Sequence, residues 1–248
     1  MKIAKLFGIE IILNWTTLLL VGLVGHGFFS AFTIKSPTTS SLTVGVISLC
    51  VGIGILLSIL IHELSHAIVG KKHGIDFNKI ILHLLGGAAM MNSNIPNAKA
   101  EFRMAIAGPV ASIVLSILLF TIFLPIAIFN PVKLNLVSSA IGTLCMTNFI
   151  LGIFNMIPAF PLDGGRILRS IIWSRTKNLL KATTISAHIS SVLAYIGIGS
   201  SLAMSLGIYV PFFGVGLGSG IWLAMISVLI IFAAKAELKM VEAASKKI

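Results

Sequence analysis

Residues 60–67, Leu60-Ile61-His62-Glu63-Leu64-Ser65-His66-Ala67, set a His-Glu-x-x-His run inside a stretch apolar enough to cross a membrane. Two histidines four residues apart share one face of an α-helix, so their imidazoles can close on one metal ion. Glu63 is held beside them, where its carboxylate can take the proton of an attacking water. From Ser36 to His62 there is no Asp, Glu, Lys or Arg. An ionisable side chain in such surroundings is costly to bury and points to function rather than packing.

The rest of the chain has the same character. Of its 248 residues 57% are hydrophobic and 10% charged, and the mean hydropathy is +1.06, a composition foreign to soluble globular domains. Charge-free runs cover Ile11 to Ile34, Ser36 to His62, Met104 to Val132, Leu134 to Leu162 and Ala182 to Ala234. Each of the first four suits one helix of about 20 residues, and the last holds two, divided near Tyr209-Val210-Pro211. The expected fold is therefore an all-α polytopic membrane protein with six transmembrane helices in a single domain spanning residues 1–248. The run after Met1-Lys2-Ile3-Ala4-Lys5 is too long for a secretory h-region, and Gly25-His26-Gly27-Phe28 is no cleavage site, so it reads as the first retained helix.

A net charge of +11 raises the question of nucleic acid, which the distribution of the charge answers. With the N-terminus in the cytoplasm and six spans, Lys2, Lys5, Lys71, Lys72, Lys79, Lys99, Arg103, Arg166, Arg169, Arg175, Lys177, Lys181, Lys235, Lys239, Lys246 and Lys247 all fall inside. Only Lys35 and Lys133 fall outside, which leaves 16 of the 18 basic residues on one side. That asymmetry is the positive-inside rule, and the basic charge sets topology rather than nucleic-acid binding. Both termini are expected in the cytoplasm and the protein in the cell membrane. Cys50 and Cys145 lie in spans and make no disulfide framework.

Between the second and third spans, residues 75–91 are apolar but short, and Gly86-Gly87 interrupts them. This pattern suits a re-entrant or β-like segment better than a helix. Such a segment could offer a strand edge to a substrate backbone, or it could be a plug that seals the bundle.

A catalytic zinc takes three protein ligands and leaves a position for water. The chain holds only seven acidic residues. Glu10, Asp76, Glu101, Glu237 and Glu242 sit at or near predicted membrane edges, and Glu63 is the base, which leaves Asp163 as the third ligand. In Asn155-Met156-Ile157-Pro158-Ala159-Phe160-Pro161-Leu162-Asp163-Gly164-Gly165-Arg166 the prolines and glycines break the fourth helix near the cytoplasmic face. The second helix reaches His62 and His66 just before Lys71-Lys72, at the same expected depth.

His62-Glu63-Leu64-Ser65-His66 together with Asn155 through Gly165 resembles the site-2 protease family of intramembrane zinc metalloproteases. The likeness extends to Gly86-Gly87, to Ala107-Gly108-Pro109 opening the third helix, and to Asn148, and runs from the first helix to at least Arg169. It implies Zn2+ held by His62, His66 and Asp163, Glu63 as catalytic acid and base, a substrate cleft around Asn155, and membrane-embedded protein substrates in regulated proteolysis. With short external loops and a sequence that stops at Ile248, the PDZ or CBS domains of many prokaryotic relatives are not expected here. Where relatives often carry a proline ahead of the glycine pair, this chain has His83-Leu84-Leu85, and His83 is read as a histidine without a ligand role.

Asn155 and Asn148 are candidates for hydrogen-bonding a substrate strand or the oxyanion, and each is equally able to bond between helices. The reading favours substrate contact for Asn155 and structure for Asn148. A membrane metal transporter, or another metal-binding membrane protein, would use the same His and Asp cluster but would not require Glu63 beside His62. A prenyl-protein-processing type of protease would require a downstream membrane glutamate, and none is present.

Overall fold

A computed structural model describes residues 1–35, 37–84, 86–91, 95–129, 136–211 and 213–245. Lys133, Lys246 and Lys247, assigned above to loops and terminus, lie outside the described residues. In chain order the elements are β1 (Lys2–Leu6), β2 (Ile9–Leu13), α1 (Thr16–Lys35), α2 (Ser41–Lys72), β3 (Phe77–His83), β4 (Gly86–Met91), α3 (Ala98–Phe129), α4 (Leu136–Asn155), α5 (Asp163–Thr176), α6 (Leu179–Ser205) and α7 (Leu217–Ser245). Among the described residues α1, α2, α3, α4, α6 and α7 are long and apolar enough to cross a membrane. The six expected spans are thus present, and the division of the last run falls where expected, with Val210 bridged to Gly214 in a tight turn between α6 and α7.

The chain divides into two compact units, residues 1–96 with 106–154 and residues 97–105 with 155–248. In the first unit the segment between α2 and α3 is the hairpin β3–β4, part of a wider sheet ordered β1-β2-β3-β4. β2 runs parallel to β3, pairing Ile11 with Ile80, while β1 and β4 are antiparallel to their neighbours. The charge-free run that begins at Ile11 is therefore not all helix. Ile9-Glu10-Ile11 alternates with period two and forms a strand, and the first span starts only at Thr16. A hydropathy run cannot separate a short buried strand from a helix end. Asn14 makes the change of structure, because its Oδ1 accepts the Thr16 N–H at 3.1 Å as a helix cap. Thr17 Oγ1 also donates to Leu82 O at 2.8 Å, tying the start of α1 to the end of β3.

Alternation buries one face of the sheet, with Ile9, Ile11, Ile80 and Leu82 almost wholly enclosed. The end of α2 docks here. A Cβ at Gly70 would lie 2.4 Å from the Phe77 ring, so only a bare backbone allows this approach.

Helices of the first unit approach closely through small residues, as expected where lipid offers no hydrophobic drive to associate. A Cβ at Gly52 would meet Val21 O at 2.6 Å, and one at Gly152 would meet Ile113 at 2.8 Å. Phe32, Val44 and Leu136 form an apolar cluster from α1, α2 and α4.

The second unit contains a helix that hydropathy does not disclose. α5 is 14 residues long and amphipathic, with Gly164, Gly165, Ile167, Arg169 and Ser170 buried. It stops at Lys177, whose left-handed backbone (φ 56°) donates its N–H to Trp173 O. Asn178 then caps α6 by accepting the Lys181 N–H. Phe160, Ala187 and Ala234 make the apolar centre of this unit.

Candidate metal centre

His62 and His66 lie one turn apart on α2, both buried. Their rings meet edge to face at 82°, and their Nε2 atoms are 3.2 Å apart. His62 Nδ1 lies 2.9 Å from Ser112 Oγ on α3. A hydrogen bond on one ring nitrogen fixes the orientation of the other, the arrangement that metal-binding histidines use.

The space in front of the two nitrogens is kept open by Gly108. A Cβ there would lie 2.2 Å from His66 Nε2 and 2.7 Å from His62 Nε2. Two imidazole nitrogens converging over a bare stretch of backbone form a cradle that any side chain would fill. α3 begins at Ala98, so Ala107-Gly108-Pro109 does not open the helix but lies more than two turns inside it. Its place is decided by the approach to the histidines, not by a helix start.

Glu63 is half-buried and turned toward β4. A Cβ at Gly87 would lie 2.3 Å from Glu63 Cγ, so the strand passes against this carboxylate only because residue 87 has no side chain. Gly86 is required for a different reason: its φ of +124° is strained for any L side chain. The two glycines thus answer two separate constraints. His83 pairs with Gly86 at the closed end of the hairpin.

Asp163 is the first residue of α5. The preceding turn is built by the backbone: Ala159 N–H donates to Ile157 O, Leu162 N–H to Ala159 O, and Gly165 N–H to Leu162 O. Gly164 is packed so tightly that a Cβ would lie 2.2 Å from Ile157 O. Among the described residues, His62, His66 and Asp163 are a group that could hold a metal ion. Two imidazoles and a carboxylate are a donor set of the kind that catalytic zinc accepts.

Asn155 ends α4 and is half-buried. Asn148 is fully buried, and its amide donates to Ser58 Oγ at 2.9 Å and to Leu144 O at 2.8 Å. Sequence reasoning did not single out Ser112, although it lies four residues after Gly108 and so on the same helical face. It also set Glu101 and Glu237 aside as membrane-edge charges, whereas Glu101 is 0% exposed.

Comparison with known proteins gives a consistent picture. Residues 50–130 and 124–198 match the family model described as Peptidase family M50. A zinc metalloprotease of Methanocaldococcus jannaschii is 39% identical over 188 residues, which are 76% of this chain and 49% of that protein. Rip3 of Mycobacterium tuberculosis is 32% identical over 244 residues, 95% of this chain and 58% of its own length. The chain thus spans about half the length of the curated relatives it matches. Among solved structures, the site-2 protease from Methanocaldococcus jannaschii superposes with a TM-score of 0.58 at 31% identity, over 96% of this chain and 94% of that one.

Proposed function

Because this chain belongs to peptidase family M50 and is an integral membrane protein, we propose that it is an intramembrane zinc endopeptidase. Its substrates on this reading are membrane proteins cut within or near their transmembrane segments. The observation that carries the reading is the convergence of His62 and His66 over Gly108, with Glu63 next to His62 on the same helix.

His62, His66 and Asp163 would hold the zinc. The bound ion supplies a Lewis acid that polarises the scissile carbonyl and acidifies water. Glu63 takes the water proton and returns it to the leaving amine. Ser112 holds the His62 ring, and Gly87 lets β4 lie along Glu63. β4 is the last strand of the sheet, so a substrate segment can add beside it by backbone hydrogen bonds. Asn155 is assigned to the substrate strand. Asn148 is assigned to bracing α4 against α2, because its amide bonds Ser58 Oγ on α2 as well as Leu144 O one turn back on its own helix.

A transmembrane helix hides its carbonyls in internal hydrogen bonds, so a substrate must unwind locally before it can be cut. Substrates with Gly or Pro near the scissile bond should therefore be preferred. On this reading both termini and the Arg166 to Lys181 stretch are cytoplasmic, an orientation supported by the distribution of basic residues.

The test is co-expression with a panel of tagged single-span membrane proteins, comparing wild type with Glu63→Gln and measuring zinc in both purified proteins. About one zinc per chain in each, with cleavage by the wild type alone, is the expected result. Cleavage that survives Glu63→Gln would reject the mechanism.

A further inference from the structure

Asp163 stands between two residues that grip each other: Phe160, three positions before it, and Arg169, six positions after. Arg169 is 3% exposed, and its Cζ lies 5.2 Å from the centroid of the Phe160 ring. Its edge is held by two carboxylates. Nε donates to Glu101 Oε1 at 2.8 Å, Nη2 donates to the same oxygen, and Nη1 donates to Glu237 Oε1 at 2.8 Å. Glu101 comes from the first turn of α3 and Glu237 from α7. The Phe160 backbone N–H donates to Ser190 Oγ on α6 at 2.9 Å, fixing the same turn from a third helix. Burial by itself opposes the charge on Arg169, but Glu101 and then Glu237 hold the guanidinium protonated, above its ordinary pKa.

This is an expensive way to stabilise a fold. Arg169 and Glu101 are taken from water and Glu237 partly so, and an apolar cluster of the same volume would often do as well. Among the described residues Glu101 Oε2 is buried with no hydrogen-bond partner, a further cost. A planar cation fixed on its face by a ring and on its edge by carboxylates does provide a single geometry.

We propose that Arg169 is a positioning residue for the metal centre: clamped by Glu101 and Glu237, it grips Phe160 and so sets where Asp163 is presented at the start of α5. The proposal rests on the reading of Asp163 as the third ligand. None of these residues touches substrate. Their effect is on how well the carboxylate is pre-placed, as partners behind a ligand commonly act.

The experiment is chelator competition for zinc on the 248-residue chain, with Phe160→Leu, Phe160→Tyr, Arg169→Lys, Glu237→Gln and Asp163→Asn beside the wild type, and circular dichroism to confirm folding. A cavity of ≈ 200 Å³ lies beside Phe160 and Pro161, bordered by Arg166 and Glu237. Phe160→Leu and Arg169→Lys should weaken zinc binding about ten- to a hundredfold. Phe160→Tyr keeps the ring face and should keep wild-type affinity, whereas Phe160→Leu stays apolar but loses that face. Should Arg169→Lys fail to fold, Phe160→Leu and Glu237→Gln, which keep the buried guanidinium, carry the comparison. Weaker zinc binding in Asp163→Asn alone, with Phe160→Leu unchanged, would overturn the positioning role and leave the ligand reading standing. Wild-type binding by Asp163→Asn would remove the ligand reading and this proposal together. Equal losses in the leucine and tyrosine variants would also overturn it.

Discussion

Ser112 and Gly108 act on the histidines by opposite means. Ser112 bonds the back of the His62 ring, and Gly108 contributes the absence of a side chain in front of it. Ser112→Ala should leave the fold intact and weaken zinc binding by roughly tenfold, the low end for losing a partner behind a ligand. Chelator competition measures it, and unchanged affinity would show that packing alone orients the ring. Gly108→Ala should be far harsher, because the new methyl group would occupy the volume in front of both Nε2 atoms. Zinc content of the purified variant checks this.

At the scale of elements, the β3–β4 hairpin is where the glycine pair takes effect. Gly87→Val forces its Cβ against Glu63, so cleavage should fall while zinc stays bound, since the histidines face Gly108 instead. Gly86→Ala meets no neighbouring atom but must hold a φ of +124°, a strain of roughly 1–3 kcal/mol. It should lower the thermal stability of the hairpin more than it alters the chemistry. Comparing zinc content, melting temperature and cleavage in the two variants separates these effects.

The opposite edge of the sheet carries a pH-dependent contact. The hydrogen bond and charge of Lys2 hold the exposed Glu10 carboxyl below the ordinary carboxylate range. A depressed folded pKa means that the contribution is present above the unfolded value and lost as pH falls through the folded one. Amide exchange in β1–β2 should therefore speed up in acid relative to a Glu10→Gln variant, which has no such transition. The pair is exposed, so the difference should be small.

At the scale of the whole molecule the charge asymmetry predicts orientation. Cysteines placed at Lys71 or Arg175 should label from the cytoplasmic side, and one at Lys35 from the opposite side. Reversed labelling at Arg175 would separate the start of α5 from the depth of the second helix's histidines and remove Asp163 as a ligand. α2, at 32 residues, is about 48 Å long at 1.5 Å per residue. It exceeds the ~30 Å hydrocarbon core, so part of it is expected to extend beyond the apolar layer.

The sequence alone determined the features written in local pattern. His62, Glu63 and His66 are a contiguous word with helical spacing, the six spans are long apolar runs, and Asp163 is marked by the prolines and glycines around it. Hydropathy reports how long a segment stays apolar, and helix periodicity reports which neighbours share a face. Tertiary structure decided whatever depends on residues distant in the chain. β2 is hidden within an apolar run and becomes a strand only because β3, after two long helices, supplies its parallel partner. Ser112 reaches His62 across 50 residues, and Arg169 reaches Glu101 across 68. Gly87 matters because Glu63 lies against it, and Gly108 because two imidazoles do. Such approaches follow from packing elements whose relative placement no local period encodes.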